Sequence, residues 1–256
     1  MSETANFDYI VVGAGSSGAV IANRLSEDEG VSVCLVEAGP PDTSPFIHIP
    51  TGIIRLAQHK VLNWRFNTKP QPGMQGRPIY TPRGRTLGGS SSINAMVYIR
   101  GNRLDYDDWA SEGNAGWSWE DVKPYFMKAE HNEQYQNDGH HGTGGPLNVT
   151  FPNAVSPLTD EFVAAAESLQ YKHNPDFNGE TQDGVGLHQA TQKNGRRWST
   201  AMAYIRPAAK RRNMTVMTNA PVARITVADG RATGVEIIGG RKLTASREVI
   251  LSAGGI

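Results

Sequence analysis

Two short apolar runs with a glycine-rich turn between them constrain the fold of this chain most strongly. Residues 7–12 (FDYIVV) and 31–36 (VSVCLV) are rich in β-branched and aromatic side chains, which predicts two strands buried on both faces. The turn GAGSSG occupies residues 13–18, and residues 19–25 predict a helix. In this setting the three glycines of GxGxxG permit a tight turn, a close approach of the backbone to a pyrophosphate, and helix–strand packing. The phosphates would lie at the helix N-terminus, where backbone N–H groups have no internal partner.

An acidic residue closes the second predicted strand. The carboxylate of Glu37 can accept hydrogen bonds from both hydroxyls of an adenosine ribose, and it would repel a 2′-phosphate. Gly13, Gly15, Gly18 and Glu37 therefore predict a site for an ADP-containing dinucleotide and disfavour NADP. The motif alone leaves NAD and FAD both open.

A second glycine cluster, within residues 81–101 (TPRGRTLGGSSSINAMVYIRG), favours FAD. Arg83 and Arg85 precede its glycine pair, and serines and an apolar stretch follow. This order indicates a glycine loop that runs into a helix start capped by a serine hydroxyl. Such a loop is a second place where backbone and arginines can approach an anion. A nicotinamide enzyme rarely needs one, whereas the longer flavin cofactor extends from the ADP site to a ring that must be held elsewhere.

The second cluster also resembles a family signature. Residues 84–109, GRTLGGSSSINAMVYIRGNRLDYDDW, are similar to the first signature of the glucose–methanol–choline (GMC) oxidoreductases, which are FAD enzymes acting on alcohols. The similarity continues in the family's order through GAGSSGAVIANRLSED, VEAGP, the Asn63-Trp64 pair, WSWEDVKPYFMKAE, NGRRWSTAMAYIRPA and REVILSAGGI.

The resemblance implies an α/β fold: a Rossmann-like, FAD-binding βαβ domain with a β-meander and the start of a substrate-binding or lid domain. We expect residues 1–40 to form the FAD-binding βαβ unit, and residues 41–110 the lid and the second FAD-binding loop. Residues 111–195 would belong to the substrate side, and residues 196–256 would return to the FAD domain. From Met214 onward, period-two patterning in MTVMT, VARITVADG, RATGVEIIGG and RKLTASREVILSAGG predicts the meander. Because the terminal LSAGGI stops inside a family block, we expect a truncated chain, the N-terminal part of a longer enzyme.

The resemblance further implies which residues bind FAD. They would contact its diphosphate, adenosine, ribityl chain or flavin ring: Gly13, Gly15, Ser16, Ser17, Gly18, Glu37, Ala38, Trp64, Gly88, Gly89, Asn94, Met96, Val97, Val222, Ala253 and Gly254. Some members of the family bond the flavin covalently through a histidine just before the signature asparagine. Ile93 stands at that position here and cannot form the bond, so we predict non-covalent FAD.

The implied function is FAD-dependent oxidation of a primary or secondary alcohol by hydride transfer to flavin N5, in a dehydrogenase or an oxidase. The family's catalytic base, a histidine paired with a second histidine or an asparagine, lies near the C-terminus of a chain roughly twice this long. We therefore expect no catalytic residue in these 256 residues, and no turnover by them alone. A hydroxynitrile lyase with structural FAD, a NAD-binding dehydrogenase module and a non-catalytic remnant are the alternatives.

Composition excludes several other classes of protein. The 25 acidic and 25 basic residues give no net charge, so we expect no nucleic-acid partner. The single cysteine, Cys34, excludes an intrachain disulfide and is predicted to be a small buried side chain. The start of the chain lacks a secretory pattern and no apolar run is long enough to span a membrane, so we expect a cytoplasmic protein without stable membrane insertion. Its expected partners are a small-molecule alcohol and the remainder of its own polypeptide.

Four further segments carry predictions of local structure. Residues 117–130 and 158–169 predict helices, the first with Ser118 as N-cap. The loop GHHGTGG, residues 139–145, has adjacent histidines that suit a solvated turn better than a metal site. The Arg196-Arg197 pair is predicted to belong to a solvated basic face.

Overall fold

A computed structural model describes residues 5–136 and 138–256, which form two compact units. The first unit contains the described residues up to Ala95 together with Ser199–Ile256, and the second is Met96–Trp198. Residues 41–110, expected to form one segment, therefore contribute to both units.

The secondary structure consists of short helices and a larger number of strands. The strands are β1 (Ala5–Val12), β2 (Val33–Val36), β3 (Phe66–Asn67), β4 (Tyr80–Thr81), β5 (Glu130–Asn132), β6 (Leu147–Val149), β7 (Gln192–Lys193), β8 (Arg196–Arg197), β9 (Met214–Met217), β10 (Val222–Ala228), β11 (Arg231–Ile237) and β12 (Lys242–Leu251). The α-helices are α1 (Ser16–Leu25), α2 (Pro45–His48), α3 (Ile53–Leu56), α4 (Arg103–Ser111), α5 (Trp119–Ala129), α6 (Pro157–Ser168) and α7 (Arg206–Ala208). The described residues also form 3₁₀ turns at Pro50–Gly52, Pro72–Met74 and Gly89–Ser92, and a π-helical turn at Ala201–Ile205.

A six-stranded sheet in the order β10-β11-β12-β1-β2-β9 forms the centre of the first unit. The pairs β12–β1, β1–β2 and β2–β9 are parallel, whereas β10, β11 and β12 form an antiparallel meander. In this register Ile10 of β1 lies opposite both Cys34 of β2 and Val249 of β12. The predicted α/β fold with a Rossmann-like βαβ unit and a β-meander is confirmed, and β12 joins the meander to the parallel strands.

β9 corrects one part of the predicted meander. The segment MTVMT was expected among the antiparallel strands, but β9 pairs in parallel with β2 at the opposite edge of the sheet, with Thr215 opposite Cys34. Alternation of polar and apolar residues specifies a half-buried strand and does not specify its neighbour. The π-helical turn that precedes β9 packs on α1, the helix that leads into β2, and this connection brings β9 to the edge of β2.

Apolar side chains of the parallel strands and the meander form the core of this unit. Ile10, Cys34, Val235 and Leu243 are buried in one cluster. Burial of such apolar surface stabilises the folded state by about 25 cal/mol per Å². Cys34 is buried as predicted, and burial raises the pKa of its thiol to about 12, so the thiol stays protonated and unreactive at neutral pH.

The second unit contains two helices with complete N-terminal capping boxes. Asn102 caps α4 and Ser118 caps α5, and in each case the third helical residue, Asp105 or Asp121, accepts the N–H of the capping residue. The predicted helix at residues 117–130 and its Ser118 cap are thereby confirmed. Pro124 lies inside α5.

α6 confirms the helix predicted at residues 158–169, although two large side chains of its apolar face are exposed in the described structure. Phe162 and Leu169 are 69% and 72% exposed. Nowhere in the described ranges is a helix both long enough and apolar enough to cross a membrane.

His141 and Arg197 show that two expectations of solvent exposure were wrong. His141 is buried, with Nδ1 2.9 Å from a Glu130 oxygen and Nε2 2.8 Å from an Asp176 oxygen. Burial by itself lowers the pKa of His141, but the hydrogen bonds with Asp176 and Glu130 outweigh it and raise that pKa to about 9. Arg197 is buried too, and burial lowers the pKa of its guanidinium to about 10.

The His141 environment is a network of buried polar groups within the second unit. Arg100 forms an ion pair with Glu130, and Asn132 Nδ2 lies 2.8 Å from the same carboxylate. Burial alone would raise the pKa of Glu130, but the hydrogen bond from His141 and the charge of Arg100 bring it below its ordinary value. Asp138, His141 and Asp176 are close enough to hold a metal ion. Because both ring nitrogens of His141 face carboxylates, the arrangement instead suits an imidazolium that donates at both positions.

Candidate cofactor site

A cavity of about 770 Å³ lies in the first unit, beyond the C-terminal ends of β1, β2 and β12. Ligands of open α/β sheets bind at this edge, where loops and helix N-termini converge. The predicted site residues that line the cavity are Gly13, Gly15, Ser16, Ser17, Glu37, Ala38, Trp64, Gly89, Val222, Ala253 and Gly254. These residues come from segments that lie far apart in the sequence, and the cavity brings them together. That they bind a cofactor stays a prediction.

The first glycine turn shows which backbone positions tolerate a side chain. A Cβ at Gly13, which has φ +95°, would lie 2.6 Å from the Ser252 carbonyl oxygen, and a Cβ at Gly18 would lie 1.9 Å from the Gly13 oxygen. A Cβ at Gly15 would meet nothing closer than Gly89 Cα, at 4.0 Å. Gly13 and Gly18 are therefore required by the chain's own packing, whereas Gly15 leaves free space on the cavity side.

The N-terminus of α1 faces the cavity through Ser16 and Ser17. Its N-cap residue is Gly15, which has no side chain to cap the helix. The first-turn N–H groups of a helix have no intrahelical acceptor, and the helix dipole makes this end positive. The cavity therefore has a ready position for an anionic group such as a diphosphate.

The second glycine loop packs directly on the first. The Gly88 N–H donates to the Ala14 carbonyl at 2.8 Å, and a Cβ at Gly89 would lie 2.6 Å from Gly15 Cα. Gly88 itself has φ +84°, and a Cβ there would lie 2.3 Å from Ser92 Oγ. Gly88 thus holds the loop in place, while Gly89 brings it against the first turn at the cavity.

Hydrogen bonds within the loop and from the loop to other segments fix this arrangement. Ser91 Oγ donates to the Gly88 carbonyl at 2.6 Å and accepts the Thr200 N–H at 3.0 Å. Thr86 Oγ1 donates to the Pro40 carbonyl at 2.8 Å, which ties the second loop to the segment after β2. The two glycine regions and the end of β2 consequently form one continuous rim of backbone.

Glu37 is buried at the end of β2 and lines the cavity. One carboxylate oxygen accepts the Ala14 N–H at 3.0 Å and the other accepts the Gly39 N–H at 2.8 Å. Burial raises the pKa of Glu37 above its ordinary value, and these two N–H groups together with the Arg85 charge oppose that rise. Each carboxylate oxygen has a further lone pair, so Glu37 can still accept hydrogen bonds from a ligand.

An aromatic wall was only partly foreseen from the sequence. Trp64 is 41% exposed, lines the cavity and stacks with Phe66, with ring centroids 5.8 Å apart and planes at 9°. Phe66, Arg83 and Ser90 also line the cavity and were not among the predicted site residues. The spacing of these residues does not reveal the wall, because Arg65 between Trp64 and Phe66 has a left-handed backbone with φ +58° and the segment is not a regular strand there.

The remaining predicted residues lie outside this lining. Gly18 and Gly88 support it from behind, as their close contacts show. Asn94 is exposed, and its N–H donates to the Ser90 carbonyl at 2.9 Å. Met96 and Val97 begin the second unit, where Met96 is buried with φ +66° and Val97 is exposed and bridges to Ala190.

The family model for GMC oxidoreductases matches residues 7–256 of this chain. The chain belongs to the GMC oxidoreductase family. The resemblance drawn from the glycine signatures is thereby confirmed over almost the whole sequence. Among GMC relatives, an alcohol dehydrogenase [acceptor] of Pseudomonas putida is 47% identical over 98% of this chain and 46% of the relative.

Solved GMC-type structures share the fold. Pyridoxine 4-oxidase from Mesorbium loti superposes with a TM-score of 0.92 at 34% identity, covering 98% of this chain and 50% of that one. An FAD-dependent oxidoreductase from Chaetomium thermophilum has a TM-score of 0.89 at 30% identity, covering 98% of this chain and 46% of that one. The chain thus spans about half the length of the proteins that it matches.

Proposed function

We propose that this chain is the FAD-binding part of an enzyme that oxidises a primary or secondary alcohol. The observation that carries the proposal is the single cavity in which both glycine turns, the N-terminus of α1 and the buried Glu37 meet. The solved relative from Chaetomium thermophilum is named as FAD-dependent, and the Pseudomonas putida relative is named as an alcohol dehydrogenase. The proposal extends these properties to the present chain.

The residues of the cavity fit a dinucleotide with an unmodified adenosine ribose. The N–H groups at Ser16 and Ser17 would hold the diphosphate, and the bare backbone at Gly15 would let it approach. The spare lone pairs of Glu37 would accept the ribose hydroxyls, and its negative charge would repel a 2′-phosphate. Gly89 and the loop that it belongs to would hold the cofactor further along its length.

When bound, FAD would accept hydride from the carbinol carbon of the alcohol at flavin N5. This chain's part is to bind and orient the cofactor, because no described histidine lines the cavity. In the first unit, His48 Nε2 lies 2.7 Å from the Asp42 carbonyl and His59 Nδ1 accepts the Leu62 N–H. We therefore assign the proton-accepting base to the paired histidines, or histidine and asparagine, of the remainder of the polypeptide.

The attachment of FAD is proposed to be non-covalent. Ile93, at the position where some family members carry the bonding histidine, is buried with Ile47, Leu56 and Leu62. An aliphatic side chain offers no nucleophile for a flavin bond. Acid precipitation of the loaded protein should leave the yellow colour in the supernatant, and colour retained on the washed precipitate would refute this.

Flavin spectroscopy tests the proposed function. Protein loaded with FAD should show the flavin band at about 450 nm, and an alcohol substrate should bleach it under anaerobic conditions when the complete polypeptide is present. A flavin band that no alcohol bleaches would favour a hydroxynitrile lyase in which FAD is structural. A protein that binds NAD but not FAD would refute the proposal.

A further inference from the structure

Arg85 occupies an unusual position beside the cofactor cavity. Its guanidinium carbon lies 4.7 Å from the centroid of the Trp64 ring. Its Nε is buried and has no hydrogen-bond partner among residues 5–136 and 138–256. A buried arginine nitrogen without an acceptor costs free energy, so some other property of this side chain must account for its placement.

The backbone of Arg85 is fixed on two sides. Its N–H donates to the Leu62 carbonyl at 2.8 Å. Its carbonyl oxygen is so close to Gly39 that a Cβ there would lie only 2.0 Å away. The backbone that carries the Arg85 side chain is therefore held between the segment that leads to Trp64 and the segment that follows Glu37.

The first contact of the guanidinium is with the aromatic wall. Trp64 and Phe66 stack in nearly parallel planes and both line the cavity. Between them Arg65 adopts φ +58°, and its N–H donates to Asn63 Oδ1 at 2.9 Å. Arg85 adds a cation–π contact to the Trp64 ring, an interaction that restrains a ring which is otherwise partly exposed.

The second interaction of the guanidinium is an electrostatic effect on Glu37. The positive charge of Arg85 lowers the pKa of this buried carboxyl, against the larger effect of burial, which raises it. The N–H groups of Ala14, Gly39 and Ala38 also face Glu37, and Arg83 is a further charged residue of the cavity lining. A carboxylate, not a carboxylic acid, can accept both hydroxyls of a ribose.

We propose that Arg85 is a positioning residue of the cofactor cavity, which fixes Trp64 in the cavity wall and supplies the positive charge beside Glu37. The inference rests on the proposed function, since it assumes that the cavity binds a dinucleotide. That dinucleotide would have unmodified ribose hydroxyls and an aromatic ring of its own. It adds that one side chain both restrains the aromatic wall and favours the ionised form of the ribose acceptor.

The test measures FAD affinity from about pH 5 to about pH 8 by fluorescence titration of the purified protein. Affinity of the unsubstituted protein should fall as the pH decreases and Glu37 becomes protonated. Arg85→Gln should lower FAD affinity at neutral pH by about tenfold, and should move the midpoint of the pH profile to higher pH. Arg212→Gln, which removes an exposed arginine outside the cavity lining, is the matched control for the loss of one charge.

Two further variants separate the two contacts. Arg85→Lys keeps a positive charge but lacks the planar guanidinium, so it should keep the pH midpoint and lose part of the affinity. Trp64→Phe should lower affinity without moving the midpoint. Thermal unfolding of each variant shows whether it folds, and if Arg85→Gln does not fold, the pair Arg85→Lys and Trp64→Phe decides.

The outcomes distinguish the inference from the proposed function. If the unsubstituted protein binds no FAD at any pH, the proposed function fails and the inference fails with it. If FAD binds but Arg85→Gln has the affinity and pH midpoint of the control, only the inference is overturned. If Arg85→Gln loses affinity equally at every pH and its pH midpoint does not move, Arg85 has only a structural role. If Arg85→Lys keeps full FAD affinity, the contact of the guanidinium with the Trp64 ring does not contribute.

Discussion

Substitution of Gly15 by alanine should separate cofactor binding from folding. The backbone at Gly15 has φ −74° and ψ −164°, which alanine adopts without strain, and the added Cβ would lie 4.0 Å from Gly89 Cα, an ordinary van der Waals distance. Alanine is a poorer N-cap than glycine, but it also lowers the entropy of the unfolded chain by about 0.4–1 kcal/mol. These effects oppose each other, so the free energy of unfolding should change by less than about 0.5 kcal/mol.

The same methyl group would occupy the space through which the diphosphate approaches the N-terminus of α1. Displacing the phosphates should break one or two charge-assisted hydrogen bonds, which are worth about 1.5–3 kcal/mol each. A loss of about 2–4 kcal/mol corresponds to a 30- to 700-fold weaker FAD affinity, at about 1.4 kcal/mol per tenfold. The prediction is thus a stable protein that has lost most of its affinity.

Calorimetric titration with FAD, paired with thermal unfolding of the unliganded protein, measures both quantities. Gly73→Ala is the matched control, because a Cβ there meets nothing within 4 Å and Gly73 lies outside the cavity lining. Gly18→Ala is the opposite control, because its Cβ would lie 1.9 Å from the Gly13 oxygen and should disrupt the fold. The reasoning is refuted if Gly15→Ala binds FAD as tightly as Gly73→Ala, or if its unfolding midpoint falls by more than about 4 °C.

Two further predictions concern His141 and Cys34, which are buried and do not line the cofactor cavity. His141→Ala should lower the free energy of unfolding by about 3 kcal/mol, because it removes the imidazolium that the buried Glu130 and the half-buried Asp176 carboxylates share. The pKa of His141 rises from 6.5 to about 9 on folding. The loss of stability in the variant should therefore be complete below about pH 6.5 and should shrink as the pH approaches 9. A loss of stability that does not depend on pH would contradict a charged His141. Cys34, with a thiol pKa of about 12, should resist a thiol reagent at pH 8 until the protein is unfolded, and rapid labelling of the native protein would contradict its burial.

Much of the first unit could be predicted from local sequence. The apolar runs and glycine spacing specified β1, α1 and β2, because a GxGxxG turn is compatible with few structures other than a strand–helix crossover. The same spacing identified Gly15 as the position with free space and Gly13 and Gly18 as positions without it. The close approach of Gly18 to Gly13 is made between residues close in the sequence, so the sequence was sufficient to predict it.

Other features depend on partners that are distant in the chain. The burial of His141 depends on Glu130 and Asp176, which are 11 and 35 residues away, and no local pattern around a pair of histidines reveals them. The parallel pairing of β9 with β2 likewise depends on a long connection. The sequence marks Arg85 only as a basic residue near a glycine loop, because its ring contact with Trp64 and its electrostatic effect on Glu37 arise only when the loop packs on the end of β2.

Equilibrium titration of the purified protein with FAD, in competition with ADP and with 2′-phospho-ADP, tests the central claim most directly. The claim is that the glycine turns, α1 and Glu37 form a site for the ADP part of FAD. It predicts about one FAD per chain, displacement by ADP, and no displacement by 2′-phospho-ADP at the same concentration because Glu37 repels the added phosphate. Absence of FAD binding, or equal competition by the two nucleotides, would contradict it.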